Sequence, residues 1–339
     1  MKISMEAAGA KENKGCEGVT LEKFMKEWEA PSDTVLVHTS GSTGKPKPIR
    51  VEKARMLNSA RITCDFLGLK SGDTALLCMP LDYIAGKMVV VRSIERNLKL
   101  ISVKPGGHPL EYIDQHIDFA AMVPIQVYNS LQVPIEQKRL QAIDNLIIGG
   151  GAIDKTLQEH LINYPNKVWS TYGMTETLSH IALRRLNGID ASEWYQPFPS
   201  VDISKDDNGC LVIDAPLVHD GILLTHDRVE IKNGRFRILG RLDNVIDSGG
   251  IKIQIEEVEK SLKSFLSLPY LITKRPDKKF GEIIVLLTED IDIAGVEVIC
   301  RKVLPKYWQP KIYKHVDSLP FTGTGKPARA EAEKMAYEI

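Results

Sequence analysis

Cysteine is sparse: Cys16, Cys64, Cys78, Cys210 and Cys300 are scattered over 339 residues, odd in number and without a C-x-x-C pair. That argues against a disulfide framework or a thiolate zinc site and fits a reducing cytoplasm, which is the expected location. Neither sign of charge is in excess, Lys+Arg and Asp+Glu standing at 44 each, so nothing advertises a nucleic-acid or membrane surface. No apolar run approaches the roughly 20 residues of a membrane span. Met1 to Gly18 is polar and carries no secretory hydrophobic stretch. None of the eight histidines is spaced with another His or with Cys as metal ligands are. G-x-S-x-G and G-x-G-x-x-G are both missing, as are repeats and low-complexity segments. What remains is a 43% hydrophobic, 26% charged chain of ordinary globular composition, long enough for one large and one small domain.

One stretch organises the rest. His38-Thr39-Ser40-Gly41-Ser42-Thr43-Gly44-Lys45-Pro46-Lys47 follows Thr34-Val35-Leu36-Val37, an apolar run that reads as a buried strand. Its two glycines let a turning backbone bring N–H groups close to an anion. The hydroxyls of Thr39, Ser40, Ser42 and Thr43 add donors, and Lys45 and Lys47 add positive charge. These are the parts of a polyphosphate cradle; a plain Gly/Ser/Thr turn is the alternative. A Walker A loop fails, because Pro46 follows Gly44-Lys45 and no glycine sits five residues before Gly44.

Periodicity then predicts helices over 21–28 and 52–67, the second stopped by Gly68, a strand at 76–79 and a helix over 87–95. Strand and helix signals continue to alternate: strand 100–103, a short helix 109–116, strand 119–123, helix 126–131, strand 146–148, helix 155–161 and strand 167–170. Such alternation implies right-handed crossovers and a largely parallel sheet, whose ligands collect beyond the carboxyl ends of the strands. Thr39, Gly149 and Thr171 each come just after a predicted strand. From about Trp194 the texture changes. Alternation on both sides of Asn233-Gly234 is a strong hairpin signal, and residues 195–240 read as an antiparallel, β-rich subdomain. Beyond Arg241 a small α+β unit follows, its main helix predicted over 256–265.

The motif T-S-G-S-T-G-x-P-K resembles the phosphate loop of the adenylate-forming superfamily, whose acyl-CoA ligases, adenylation domains and luciferases activate a carboxylic acid with ATP. Further stretches resemble that family's later motifs, in the family's order. Tyr172-Gly173-Met174-Thr175-Glu176 is similar to Y-G-x-T-E. The resemblance implies an adenine against Tyr172 and Gly173, a phosphate at Thr175, and Mg²⁺ held by Glu176. Gly149-Gly150-Gly151-Ala152 stands where the family has a glycine-rich segment beside the adenine and acyl sites. Thr225-His226-Asp227 matches T-G-D with His226 in place of glycine, implying that Asp227 accepts the ribose hydroxyls. Gly240-Arg241-Leu242-Asp243 through Gly249-Gly250-Ile251-Lys252-Ile253 resembles the hinge and G-G loop. That places Arg241 at ribose or phosphate, Asp243 at the hinge, and Gly249 and Gly250 at the channel for coenzyme A. Pro320-Phe321-Thr322-Gly323-Thr324-Gly325-Lys326 resembles P-x-T-x-x-G-K and makes Lys326 the catalytic lysine. A mobile cation there lowers the barrier for joining two anions, carboxylate and α-phosphate.

The resemblance covers about Val35 to Ala330. It implies a large N-terminal domain over 1–240, with a mostly parallel sheet and the β-rich subdomain, and a small mobile α+β domain over 241–339. The implied activity is an acid–CoA ligase using ATP, Mg²⁺ and coenzyme A, with a carrier-protein thiol as the alternative acceptor. Typical members carry a longer portion before the phosphate loop, so an outer layer is expected to be missing and a homodimer would cover the bared face. Pro80-Leu81-Asp82-Tyr83-Ile84-Ala85-Gly86 and Tyr172 through His180 look most like compact ligases of an aromatic dicarboxylate. On that reading Tyr83 and Gly86 line the ring pocket, and Lys87, His180 or Arg184 pairs with the carboxylate that is not activated. Asp82-Tyr83 departs from the Tyr/Phe-His pair usual at that point.

Overall fold

A reversal in the direction of strand addition, at the middle of a parallel sheet, sets the architecture. The computed structural model describes residues 5–7, 19–38, 48–151, 153, 155–321 and 327–337. The first stretch gives β1 (Met5–Ala7), helix α1 (Leu21–Glu29), strands β2 (Thr34–His38) and β3 (Pro48–Glu52), and helix α2 (Lys53–Leu67). Next come β4 (Thr74–Leu77), α3 (Ile84–Arg96), β5 (Lys99–Ser102), β6 (Ile117–Met122), α4 (Pro124–Leu131), α5 (Pro134–Gln141) and β7 (Ile143–Ile148). They are followed by α6 (Lys155–Leu161), β8 (Lys167–Gly173), β9 (His180–Arg185) and β10 (Gln196–Pro197). Eight of these strands form one sheet in the order β1-β5-β4-β6-β7-β8-β9-β10, parallel from β1 to β8 and antiparallel at β9 and β10. The path steps one way from β4 to β5 and the other way from β6 to β8. With right-handed crossovers, α3 therefore covers one face and α4 to α6 the other, and the switch point falls between β4 and β6. Helix α2 packs beside α3. Buried on both faces, strands such as β6 carry near-continuous apolar runs.

Four departures from the sequence reading have physical causes. Thr34–His38 is a strand, but it pairs with β3 in an antiparallel hairpin outside the main sheet. An apolar run reports burial and is silent about which sheet supplies the partner. Residues 109–116 form turns instead of a helix. The Arg139 guanidinium takes the carbonyls of Leu110 and Glu111 at 3.0 and 2.6 Å, and those are acceptors a growing helix would need. Helix α5, opened by Pro134 in its first turn, stands where the sequence reading places no element. Strand β8 runs on through Gly173, so Thr171 and Tyr172 lie inside it and not after it.

The β-rich part matches expectation. β11 (Asp202–Lys205), β12 (Cys210–Asp214), β13 (Ile222–Lys232) and β14 (Arg235–Arg241) make a four-stranded antiparallel sheet. Asn233 and Gly234 close the β13–β14 hairpin with φ of 51° and 70°, the left-handed values of a two-residue hairpin turn. After a 3₁₀ turn at Leu242–Asn244 come β15 (Val245–Ser248), β16 (Ile251–Gln254), α7 (Ile255–Leu262), β17 (Tyr270–Asp277), β18 (Gly281–Thr288), α8 (Ile293–Val303), β19 (Ile312–His315) and α9 (Arg329–Tyr337). Alternate residues of β18 feed two layers: Ile284 and Leu286 pack with α7 and α8, Val285 and Leu287 with Ala332 and Ala336 of α9. One apolar cluster runs from Phe24 to Phe236 and the other two begin at Ile246 and Leu271, so the core divides close to residue 240. Among the described residues no helix is long and apolar enough to cross a membrane.

Candidate functional site

Three strand ends carry the candidates. β7 runs into Gly149, whose N–H bonds the Met122 carbonyl at 3.0 Å. A Cβ on Gly149 would lie 2.4 Å from the Thr171 hydroxyl, so only glycine lets β7 end this close to β8. Gly150 follows with φ of 78°. On β8, Gly173 lies against the backbone of Ser179 and His180, where a Cβ would come within 2.3 Å of the Ser179 carbonyl. The pairing of β8 with β9 shifts register between Tyr172 and Gly173. Beyond it the chain winds around buried Thr177, whose hydroxyl accepts from the Met174 N–H at 3.1 Å and lies 2.8 Å from the Ser179 carbonyl. That turn leaves Glu176 exposed, with no ion pair among the described residues, while Thr175 is half-buried beside it.

Tyr172 is the hub. Its hydroxyl donates to Asp227 Oδ2 at 2.6 Å, and its ring meets Phe236 edge-on at 5.0 Å. Burial, then the Asp227 carboxylate, pushes the phenol far above its ordinary pKa, so it stays a donor. Asp227 Oδ1 takes the Arg241 guanidinium at 3.2 Å, and Arg241 also reaches Asp243 at 2.9 Å. His226 Nδ1 lies 2.8 Å from Asp243. Tyr172, Asp227, Arg241 and Asp243 thus form one chain of contacts from the main sheet to the 3₁₀ turn that opens the last unit. Asp243's carboxyl is held below the usual range: His226 and Arg241 outweigh the partial burial that opposes them. Gln254 ties down the far side, donating to the Arg241 carbonyl at 2.8 Å. Gly249 and Gly250, with φ of 62° and 81°, make the tip of the β15–β16 hairpin.

Thr39, Ser40, Gly41, Ser42, Thr43, Gly44, Lys47 and Lys326 lie outside the described residues. The flanks of residues 322–326 are drawn together, Phe321 bridging Pro327 and the Ala328 N–H bonding the Pro320 carbonyl at 3.0 Å.

The pocket candidates separate. Tyr83 caps α3, and Gly86 is required for packing, since a Cβ there would lie 2.3 Å from the Pro80 carbonyl. Lys87 turns toward Leu36 and Glu27, away from His180 and Arg184. His180 is buried against α2, its ring nitrogens 3.1 Å from the Thr63 hydroxyl and 3.2 Å from the Ser179 hydroxyl. Burial, and Arg92 nearby, hold its pKa well below the ordinary value, so it is a neutral ring and no counter-ion. Arg184 lies on the α6 side, bonding Gln158 and the Ser192 carbonyl and stacking on Tyr195. Lys87, His180 and Arg184 therefore do not converge on one anion.

Arg92 was missed. It sits in α3, 2% exposed, donating to the Ser179 hydroxyl at 2.6 Å, with Nε unpartnered and no carboxylate beside it among the described residues. Burial draws its pKa down to about 10. The available signal was a lone arginine in the otherwise apolar run Met88-Val89-Val90-Val91-Arg92. The fold also gathers His116, Asp118 and Asp144 with ligand atoms within 4.8 Å of one another, at the amino ends of β6 and β7 and so remote from Gly149.

The contact chain joins residues that the motifs had marked as nucleotide-binding, and relatives agree on the class. The family of AMP-binding enzymes matches residues 3–220. The chain belongs to that family. A 2-succinylbenzoate–CoA ligase of Salmonella typhimurium is 28% identical over 301 residues, 84% of this chain and 64% of the relative. One from Bacillus cereus is 24% identical over 93% of this chain and 73% of its own. The chain thus spans about two-thirds of the length of the curated relatives it matches. Among solved structures, an acyl-CoA synthetase (AMP-forming)/AMP-acid ligase II-like protein from Dyadobacter fermentans is 33% identical, with a TM-score of 0.64 and 92% of both chains covered. The o-succinylbenzoate CoA synthetase of Bacillus subtilis, in complex with ATP and magnesium ion, has the same fold, with a TM-score of 0.73 at 23% identity over 87% of this chain and 69% of that one.

Proposed function

We propose that the chain is an ATP-dependent acid–CoA ligase and that its acid is o-succinylbenzoate, as in menaquinone synthesis. In the first step a carboxylate oxygen attacks the α-phosphorus of ATP; the acyl–O–P bond forms, the bond to the bridging oxygen breaks, and pyrophosphate leaves. In the second the thiolate of CoA attacks the acyl carbon and AMP leaves. The observation that carries the nucleotide reading is the Tyr172–Asp227–Arg241 contact chain, an aromatic ring beside a carboxylate that can accept two ribose hydroxyls and a cation that can meet phosphate. Thr175, exposed Glu176 and the 39–47 stretch supply the phosphate side of this proposal. Mg²⁺ held at Glu176 would screen the phosphate charge, the exposed carboxylate being the hard oxygen donor such an ion takes. Lys326 would bring positive charge to the reacting atoms, and residues 241–339 would swivel at Asp243 to present it and then the Gly249-Gly250 hairpin. The observation favouring a second carboxylate on the acid is Arg92, a buried cation whose neighbours are neutral hydroxyls.

The test is a panel of carboxylic acids, o-succinylbenzoate included, scored by AMP release with ATP and with CoA present or absent. Release that requires both an aromatic dicarboxylate and CoA supports the reading. Turnover of only other acids replaces the substrate, and adenylate formation without a CoA thioester points to a carrier-protein thiol. The proposal includes a homodimer, which a monomeric mass in light scattering would refute.

A further inference from the structure

We infer that Glu27 and Lys87 are a positioning pair that holds the β2–β3 hairpin in place against α1 and α3, and that the ATP affinity depends on this hold; the second half of this rests on the function proposed above. Among the described residues the β2–β3 ribbon has two strands, and its register pairs Val35 with Val51 and Val37 with Ile49. The Lys53 N–H bonds the Asp33 carbonyl at 2.8 Å, so odd-numbered residues of β2 make the ladder's hydrogen bonds and Leu36 turns both its polar groups outward. An unpaired edge of this kind would ordinarily be met by solvent or another strand. Here two side chains from separate elements take the two backbone polar groups of this one residue. Glu27 of α1 accepts the Leu36 N–H at 2.7 Å, and the Lys87 ammonium of α3 donates to the Leu36 carbonyl.

Burying an ammonium is costly without partners. Lys87 is 2% exposed; beyond Leu36 it has the Glu27 carboxylate at 3.9 Å and the face of Phe24 at 5.3 Å. Burial lowers its pKa, with Glu27 first and Asp82 second opposing the shift. α1 is itself docked through fully buried Phe24, and Asp82, at the entry to α3, accepts the Val19 N–H at 3.3 Å. Since α3 is packed on β4 and β5 of the main sheet, the pair is a strut from that rigid layer to a hairpin that shares no strand with it. An apolar side chain would have covered the edge equally well, but it would have fixed neither direction nor distance.

The experiment uses the full chain with Lys87→Met, Lys87→Arg and Glu27→Gln. Amide hydrogen exchange of β2 and β3 is compared with that of β6 and β7, alongside ATP affinity by titration calorimetry and separate KM values for ATP and acid. Expected for Lys87→Met is faster exchange confined to β2 and β3, with ATP affinity and ATP KM worse by about tenfold, the scale of one charge-assisted hydrogen bond. The acid KM should stay within about threefold, and Lys87→Arg should recover most of the ATP affinity. Unchanged β2–β3 exchange overturns the inference, and so does a loss shared equally with β6, β7 and the acid KM. Should Lys87→Met fail to fold, Glu27→Gln decides by the same criteria, its side chain being one-third exposed. If the unaltered protein binds no ATP, the proposed function fails, while the exchange comparison still decides whether the pair holds the hairpin.

Discussion

The Tyr172 hydroxyl donates to Asp227 at 2.6 Å across 55 residues of sequence, joining the end of β8 to the middle of β13. Each group restrains the other: the carboxylate is aimed by the phenol and by Arg241, and the ring is wedged against Phe236. Tyr172→Phe keeps the ring and removes the donor. The ATP KM should rise by about tenfold, as for a lost hydrogen bond to a charged group, with the acid KM unchanged. Initial rates at varied ATP and at varied acid check this.

Lys326→Ala should abolish the adenylating step and spare nucleotide binding. ATP–pyrophosphate exchange is expected to fall at least about 100-fold, while ATP affinity by titration stays within about threefold. Exchange at the unaltered rate would remove Lys326 from the mechanism.

Arg92→Met should distinguish acids by their charge. If the buried guanidinium meets the second carboxylate, KM for an aromatic dicarboxylate rises about tenfold or more, and KM for the matching monocarboxylate does not. Equal effects on both acids would mean that Arg92 serves only the packing between α3 and β9.

His180 ties stability to pH. Folded, its pKa lies well below 6.5; unfolded, it returns to about 6.5, so the unfolded chain binds the extra proton as pH falls. The contribution is complete above about pH 6.5 and is lost on acidification, with a slope of at most about 1.4 kcal/mol per pH unit. Urea unfolding at pH 7.5, 6.5 and 5.5 should show this decline, and His180→Asn should flatten it.

Gly86→Ala tests the start of α3. Its Cβ would lie 2.3 Å from the Pro80 carbonyl, a backbone atom with no flexible end to move aside. Overpacking of this kind costs about 2 kcal/mol or more, read as a lower denaturant midpoint. A neutral result would show that the 80–86 turn can shift.

Local chemistry was written plainly in the sequence. Gly68 stops α2 in the left-handed conformation, Asn233-Gly234 turns the hairpin, and the order of motifs marks Tyr172, Asp227, Arg241 and Asp243, which the fold joins by contact. These features depend on neighbouring residues or on residue type, which a linear reading carries. What the tertiary structure decided was which partner each group meets. β2 left the main sheet for a hairpin, Lys87 turned to the Leu36 carbonyl, His180 was stripped of charge, and Arg92 was enclosed with no carboxylate beside it among the described residues. Each outcome is set by burial and by groups distant in sequence, because the cost of removing a charge from water depends on what surrounds it in space and not on what adjoins it in the chain.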